Sequence, residues 1–317
     1  MAVHNVTPLT NITEFIGSDE VQPGDVLLLA DGVYQQMMIV PKDYIRIVAN
    51  GKNVIFDGNN TLTFGVVFFS IMGVEVRGVK FKNHVSSSIL VFGGSKNRVI
   101  SNCAERSNVG IEVFSSDGNL IYHNTVKNVN TDGIKLYNAS TGNFLLENKI
   151  SGSGGNGINC FLPADADNTF VGNVTRKNAG NGFEILGSTC CIFKNCSIAN
   201  AGEGFLISDG SDTVALQNEA VGNSMSGIRT LSSNSFISRN QIEQNKGAGV
   251  EVNSSFSSIE QNDIQFNLKY GLAAYDDSRY NLFLRNFLVC NEPANIFNRG
   301  EGNNFVQNVE EEPAMYK

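Results

Sequence analysis

Long apolar runs are missing from the sequence. No stretch of about 18 or more apolar residues occurs among its 317 residues, which excludes a transmembrane helix. The first 20 residues also lack the basic start and apolar core of a signal peptide. We therefore expect no membrane span and no visible leader. The sequence leaves the localisation open, either cytoplasmic or outside the cell by another route or after removal of a leader.

Clusters of lysine and arginine are missing too. The chain carries 23 Lys and Arg against 31 Asp and Glu, which gives a formal net charge of −8. Nucleic acids and anionic membranes are bound through concentrated positive charge. The composition therefore argues against both as partners.

Metal-binding motifs form a third absence. The six cysteines include no CxxC pair, and His4, His84 and His123 are too scattered to suggest a Zn or Cu site. We interpret the cysteines as small buried residues, and their redox state is left open. His123 stands where other repeats carry polar residues, so we predict that it lies on the surface.

What the chain does contain is one short phrase, repeated ten times between Asn97 and Asn308. A small polar residue opens the phrase, apolar residues follow, and an asparagine closes it five positions later. The closing residues recur every 22 to 25 positions and are Asn102, Asn124, Asn148, Asn173, Asn195, Asn218, Asn240, Asn262, Asn286 and Asn308. Most intervals also contain a glycine followed by an apolar residue, such as Gly133-Ile134. A fixed period of this length indicates a solenoid.

The repeat is rich in Val, Ile, Phe, Ser, Thr, Asn and Gly, which favour strands and turns. We predict an all-β, single-stranded parallel β-helix, in which each turn has three short strands and stacks about 4.8 Å above the last. An asparagine at the same bend of every turn can bond to the amides above and below it. Glycine suits a bend that needs positive φ.

One domain is predicted, in three segments. Residues 1–35 form an N-terminal cap and first strand, residues 36–309 the β-helix, and residues 310–317 a polar tail. Asn11 followed by Glu14 resembles a capping box, and Ile12, Phe15 and Ile16 share one helical face. A short capping helix there would cover the first coil.

These repeats resemble those of the right-handed parallel β-helix proteins of the pectin-lyase-like superfamily. That group includes polysaccharide lyases, polygalacturonases and alginate C5-epimerases. The resemblance covers about nine tenths of the chain. It implies the fold strongly and the function weakly, because this architecture hosts many chemistries.

An outward-facing surface follows from the alternation of side chains along a strand. If the residue after each phrase glycine points inward, one outward column contains Glu112, Lys135, Asn159, Glu184, Leu206, Arg229, Glu251 and Ala273. A second column contains Phe114, Tyr137, Phe161, Leu186, Ser208, Leu231, Asn253 and Tyr275. The residues before the glycines form a rim of Asp132, Asn156, Asn181 and Glu203.

Charged groups of both signs stand beside aromatic rings on this face, a mixture that suits sugars with apolar faces and polar edges. We predict a groove for an acidic polysaccharide, with Glu112, Phe114, Asn159, Phe161, Arg229 and Glu251 as binding residues. Two plainer interpretations stay open. The rings would only stabilise neighbouring turns, and Glu112 with Lys135 would form a surface ion pair.

Comparison with the polygalacturonases narrows the chemistry. Residues 130–133 reproduce their NTDG motif, which includes Asp132. Where that family has paired aspartates this chain has Asn156, and where it has a histidine between two glycines this chain has Asn181. Inverting hydrolysis needs an acid and a base about 6.5–9.5 Å apart. An ordinary polygalacturonase is therefore not expected.

The alginate epimerases carry an Asp-Pro-His run after the corresponding glycine pair, and the outward positions here hold Lys135 and Tyr137. Our hypothesis is that these two residues transfer protons, which requires lowered pKa values. Asp132 and Glu184 complete the predicted catalytic set. Arg229 or a bound cation such as Ca²⁺ would neutralise a substrate carboxylate.

A different class of function remains open beside this one. A stiff solenoid can serve as a non-enzymatic structural or surface protein of the spore, envelope or phage type. The missing catalytic signature favours that alternative, and the track of charged and aromatic residues favours carbohydrate binding. The polymer and the oligomeric state are left open.

Overall fold

Short strands of three to six residues recur throughout residues 1–311, the part of the chain that the computed structural model describes. They form three parallel sheets of 14, 13 and 12 strands, which the chain visits in turn over about 13 turns. We call them the first, second and third sheets. The predicted all-β parallel β-helix is confirmed.

The strands are short because a bend follows every few residues. The first sheet contains Val3–Val6, Val26–Leu29, Arg46–Ala49, Glu75–Arg77, Arg98–Ile100, Leu120–Tyr122, Phe144–Leu146, Thr169–Val171, Cys191–Phe193, Val214–Leu216, Phe236–Ser238, Ser258–Glu260, Leu282–Leu284 and Asn304–Val306. The second sheet contains Gly32–Tyr34, Val54–Asp57, Lys80–Lys82, Cys103–Glu105, Thr125–Lys127, Lys149–Ser151, Val174–Arg176, Cys196–Ile198, Glu219–Val221, Gln241–Glu243, Asp263–Gln265, Phe287–Val289 and Val309–Glu311. The third sheet contains Met38–Val40, Val66–Phe69, Ser87–Phe92, Val109–Phe114, Ile134–Tyr137, Ile158–Cys160, Phe183–Ile185, Phe205–Ile207, Ile228–Thr230, Val250–Val252, Tyr270–Ala274 and Ala294–Asn298.

The core is a column of apolar side chains inside the coil. The residues after the phrase glycines point into it, as predicted, and Ile134, Ile158 and Phe183 are fully buried. Aromatic rings stack on equivalent rings of the next turn, such as Phe183 on Phe205 with ring centroids 4.7 Å apart. Burial of this apolar surface, at about 25 cal/mol per Å², is the main stabilising contribution.

Asparagine ladders satisfy the backbone at the bends. The ten closing asparagines form nine consecutive side-chain amide bonds between Asn102 and Asn308. Each Asn also donates to a backbone carbonyl of the preceding turn, as Asn195 does to Phe170 at 2.9 Å. The predicted ladder is therefore confirmed.

A further ladder was not predicted. It stands five residues after the closing asparagines, with amide bonds of 2.9 to 3.0 Å. Its members are Asn178, Asn200, Asn223, Asn245, Asn267 and Asn291. The signal was present in the sequence as a second interval of five residues.

The predicted reason for the phrase glycines was wrong. None of them has positive φ; the left-handed conformation occurs instead at the residue before a closing Asn, as in Glu147 with φ of 53°. A Cβ atom on Gly133 would lie 2.5 Å from the carbonyl oxygen of Gly157 and 2.3 Å from Cγ2 of Ile150. Glycine is needed there because adjacent turns approach too closely for any side chain.

The two ends of the coil differ. One short helix, Ile12–Gly17, buries Ile12 and Ile16, and its Thr13 hydroxyl accepts a hydrogen bond from the Ile39 amide at 3.0 Å. Its role as a cap stays a prediction. At the other end Glu310 and Glu311, predicted as part of the tail, lie in the last strand, and residues 312–317 are outside the described range.

Other predictions concern single residues. His123 is exposed, as predicted. All six cysteines are free thiols, and only Cys160 and Cys190 are fully buried. Within residues 1–311 no helix has both the length and the apolar character needed to cross a bilayer.

Candidate functional site

The first predicted outward column lies on the outer face of the third sheet, whereas in the second column only Phe114 and Tyr137 are strand residues and the other members follow the ends of their strands. Glu112, Lys135, Asn159, Glu184, Leu206, Arg229, Glu251 and Ala273 are consecutive partners across eight adjacent strands. Neighbouring members are therefore separated by about one strand spacing of 4.8 Å. The predicted alignment is confirmed, although Asn159 and Ala273 are covered by their neighbours.

An aromatic stack begins the face. Phe69 lies parallel to Phe92 with centroids 5.1 Å apart, and Phe92 lies parallel to Phe114 at 4.7 Å. Tyr137 meets Phe114 edge to face at 4.6 Å. Phe69 and Phe92 were not predicted, although they occupy the same position in their turns as Phe114 does. The rings stabilise adjacent turns, but Phe69 remains 58% exposed and Phe161, further along, 44% exposed.

Lys135 lies between two of these rings. Its Nζ atom is 4.9 Å from the Tyr137 ring centroid and 4.7 Å from that of Phe161. No carboxylate oxygen of residues 1–311 lies within 4.0 Å of this ammonium. The proposed ion pair with Glu112 is thus not formed, and Lys135 retains an unneutralised charge on the face.

Glu112 instead accepts two hydroxyl hydrogen bonds. Tyr137 donates to its Oε1 at 2.6 Å, and the buried Ser87 donates to its Oε2. Burial, followed by the bond to Glu112, raises the pKa of Tyr137 above its ordinary value. The proton-transfer hypothesis needed a lowered pKa, so Tyr137 is unsuited to be a base. Near neutral pH its hydroxyl is protonated and acts as a hydrogen-bond donor.

A carboxylate and amide cluster occupies the middle of the face. Asp132 accepts from the Asn156 amide N–H at 2.8 Å and from the Asn159 side chain at 3.0 Å. Asn156 in turn donates its side-chain amide to Glu184. Burial raises the pKa of Glu184, and the charges of Asp132 and Asp209 add to that effect. Asn159 is 4% exposed, and its Oδ1 has no hydrogen-bond partner among residues 1–311.

The side chains of the predicted rim also accept hydrogen bonds from backbone amides of the next turn. Asn156 Oδ1 accepts from the Asn181 amide at 2.7 Å, and Asn181 Oδ1 accepts from the Glu203 amide at 2.8 Å. With Asp132 these residues form a ladder along the edge of the sheet. The NTDG motif therefore places Asp132 where it is buried and accepts a hydrogen bond from the backbone of the next turn.

Arg229 is held between two carboxylates. Its Nη1 lies 3.6 Å from Glu203 Oε1, and its Nε lies 3.1 Å from Glu251 Oε1. Burial, then the charge of Glu251, raises the pKa of Glu203 to about 7, although Arg229 opposes this rise. Arg229 is already neutralised, so it is poorly placed for its predicted role toward a substrate carboxylate. Glu251 likewise serves Arg229 and the Ser226 hydroxyl, which donates to it at 2.8 Å.

A metal centre has little support in the donor set. Residues 1–311 contain no group of three or more His, Cys, Asp or Glu side chains placed to hold a metal ion. At the centre of the face the Asn159 side chain binds Asp132, and Asn156 connects Asp132 to Glu184.

Comparison with known proteins gives a consistent result for the fold. A family model described as a right-handed beta helix region matches residues 44–174 and 161–288. No curated protein matches in sequence.

Solved structures match the chain almost end to end. The A-module of mannuronan C-5 epimerase AlgE6 from Azotobacter vinelandii has 17% identity and a TM-score of 0.73 over 95% of this chain and 94% of its own. The catalytic unit of a GH87 α-1,3-glucanase from Streptomyces thermodiastaticus has 13% identity and a TM-score of 0.69 over 92% and 65%. PfbA, a surface adhesin of Streptococcus pneumoniae, has 9% identity and a TM-score of 0.61 over 89% and 85%. At these identities the likeness shows the fold alone.

Proposed function

Because the chain belongs to the family of right-handed β-helix proteins, whose fold carries many chemistries, its function has to come from its own surface. We propose that it binds an acidic polysaccharide along the outer face of the third sheet. Two of the similar structures are named as an epimerase of mannuronan and an α-1,3-glucanase, which supports a carbohydrate ligand.

The unneutralised ammonium of Lys135 is the observation on which this proposal rests. Two aromatic rings hold it by cation–π contacts, each worth about 0.5–2 kcal/mol. A uronate carboxylate would supply the missing counter-ion, since Arg229 on the same face is already paired. The rings from Phe69 to Phe161 extend over four turn spacings, about 19 Å, and provide apolar surface for sugar faces.

A binding measurement tests the proposal. Wild-type protein is titrated with a polyuronate and with a neutral glucan of similar length. We expect the polyuronate to bind more tightly, and Lys135→Gln to weaken it about tenfold, or about 1.4 kcal/mol. Lys194→Gln is the matched control, because Lys194 also lies over a ring, Phe193 at 4.9 Å, but outside the third sheet. Equal losses in both variants, or no preference for the polyuronate, would contradict the proposal.

A reaction on the bound polymer is the second stage of the proposal. Lys135 would hold the carboxylate, Asp132 or Glu184 would take the C5 proton of the uronate, and the Tyr137 hydroxyl, on leaving Glu112, would return a proton to C5 in an epimerisation or to the leaving oxygen in a cleavage. The raised pKa of Glu184 suits an acid–base role closer to neutral pH. The binding samples are therefore also assayed for cleavage and for epimerised uronate. Wild-type turnover that persists unchanged in Lys135→Gln removes Lys135 from this scheme.

The same proposal includes a contribution of Ca²⁺ to the binding of the polysaccharide. Asp132, Glu184 and the free Oδ1 of Asn159 offer the oxygen ligands that Ca²⁺ prefers. Repeating the titration with added Ca²⁺ and with a chelator tests this, and identical affinities in both would exclude a calcium contribution.

The alternative function is a non-enzymatic structural or surface solenoid. The rim ladder and the ring stack favour it, because both have partners within the protein. It predicts no saturable binding of any polysaccharide, so the same titrations separate the two functions.

A further inference from the structure

A groove of about 390 Å³ lies on the outer face of the second sheet, away from the proposed glycan face. Its polar lining consists of Thr125, Lys127, Lys149, Ser151 and Arg176. The three cations are separated by 22 and 27 residues along the chain, so the sequence shows no basic cluster. Stacking of successive turns brings them together.

The strand register fixes their arrangement. Lys149 lies between Thr125 and Val174 in one row, and Ser151 lies between Lys127 and Arg176 in the next. Residues two apart on a strand point to the same side, so all three cations are on the outer face. Strand geometry places the Lys149 Cα about 8 Å from those of Lys127 and Arg176. The Cα atoms of the three cationic residues therefore form a triangle, with Ser151 between Lys127 and Arg176.

None of the three cations has a counter-ion within 4.0 Å among residues 1–311. Glu105, the cross-strand partner of Lys127, is already paired with Lys80 and Arg106 at 3.1 Å each. Glu147 lies on an exposed bend before Lys149 and forms no salt bridge within the described part of the chain. Like charges on adjacent strands repel each other. A protein with a net charge of −8 thus keeps three mutually repelling cations in one groove.

We propose that this groove binds a tetrahedral dianion, the phosphate monoester group of a ligand. Lys127, Lys149 and Arg176 would surround its oxygens, with the Arg176 guanidinium binding two of them, and Ser151 would donate a hydroxyl bond. A single carboxylate or sulfate ester group carries one charge and would leave two cations unneutralised. Three cations are also too few for the extended phosphate contacts of nucleic-acid binding.

The test titrates the full chain with inorganic sulfate or inorganic phosphate at low ionic strength. Isothermal titration calorimetry measures the Kd of each anion. We expect one saturable site that acetate does not occupy at the same concentration. Lys149→Met should raise the Kd at least tenfold, whereas Lys149→Arg should keep it within threefold. Lys194→Met, which removes a charge on another surface, should leave it unchanged.

Sugar 6-phosphate should then bind more tightly than sugar 6-sulfate, because the sulfate ester group carries a single charge, and equal binding of the two would contradict the proposal. Absence of saturable binding by wild type, or equal loss in Lys149→Met and Lys194→Met, would overturn the proposal. Thermal melting of each variant shows that it is folded. The result is independent of the polyuronate site, because Lys135→Gln should not change dianion binding and Lys149→Met should not change polyuronate binding.

Discussion

Single buried side chains give this solenoid two opposing responses to pH. His84 is almost fully buried with both ring nitrogens unpartnered, and burial lowers its pKa to about 4. Its contribution to stability is therefore lost as the pH falls below about 6.5. Glu203, whose pKa is raised to about 7, acts in the other direction. The two contributions offset each other between about pH 4.5 and 6.5.

Replacing Glu203 should separate these responses. As the pH rises from 4.5 to 7 the unfolded chain releases the Glu203 proton while the folded protein retains it, so the free energy of unfolding decreases. We expect the unfolding free energy of the wild type, relative to that of Glu203→Gln, to decrease by up to about 3 kcal/mol as the pH rises over this range. Urea denaturation at a series of pH values measures it.

The control for this prediction is Glu147→Gln, since Glu147 is exposed on a bend. Its curve should run parallel to that of the wild type. If the Glu203→Gln curve is also parallel, the buried carboxyl is not the titrating group that we assign.

At the scale of one structural element, the closing asparagine ladder is the strongest link between sequence and fold. Asn195 donates to Phe170 O and to Asn218 Oδ1, and its own Oδ1 accepts from the amide and side chain of Asn173. Its side chain therefore links three successive turns by hydrogen bonds. Removing it leaves buried backbone groups without partners, which costs more than the lost bonds alone.

Asn195→Ala should accordingly lower the unfolding free energy by about 3–5 kcal/mol, the loss of several bonds with unsatisfied partners. Asn308→Ala is the matched control at the end of the same ladder, where the side chain is only half-buried. We expect that change to cost about 1–2 kcal/mol. Amide hydrogen exchange across the sheets measures both, and equal costs would contradict a cooperative ladder.

At the scale of the whole molecule, the ends of the coil are where strands would be open to other chains. The helix Ile12–Gly17 lies against the first strand of the third sheet, where Thr13 accepts from the Ile39 amide and Gln36 accepts from the Ile12 amide. Covered edges of this kind resist pairing between molecules.

Ile16→Asp should therefore expose the first turn and promote end-to-end association. We expect a concentration-dependent rise in mass by light scattering, in a fraction that remains folded by circular dichroism. Leu9→Asp is the matched control, because Leu9 is almost fully exposed in the same segment. A monomeric, folded Ile16→Asp variant would show that the helix does not act as a cap.

The fixed period made the fold and the outward column predictable. Once the repeat interval is known, strand alternation decides that Glu112, Lys135 and Glu184 share one face. Choices between neighbouring partners were not predictable in the same way. Whether Lys135 meets a carboxylate or a ring depends on side chains from three turns at once.

Other features were missed for different physical reasons. The phrase glycines were assigned to positive φ, because the sequence gives no measure of how closely two turns approach. The groove at Lys149 was missed because its three cations are 22 and 27 residues apart in the sequence and meet only through the register of the second sheet. The further asparagine ladder was recognisable from its spacing and was overlooked.

The uniform rise of the closing ladder has a consequence for how such a protein can change. Because every turn begins and ends at equivalent bends of the coil, a whole turn can be removed or duplicated without altering the bends on either side. The separation of Glu184 from Arg229, at present two strand steps, would then grow or shrink in increments of about 4.8 Å. Distances between reactive groups along the sheet therefore change only in whole strand steps, and a suitable number of steps can match the repeat length of a polymer.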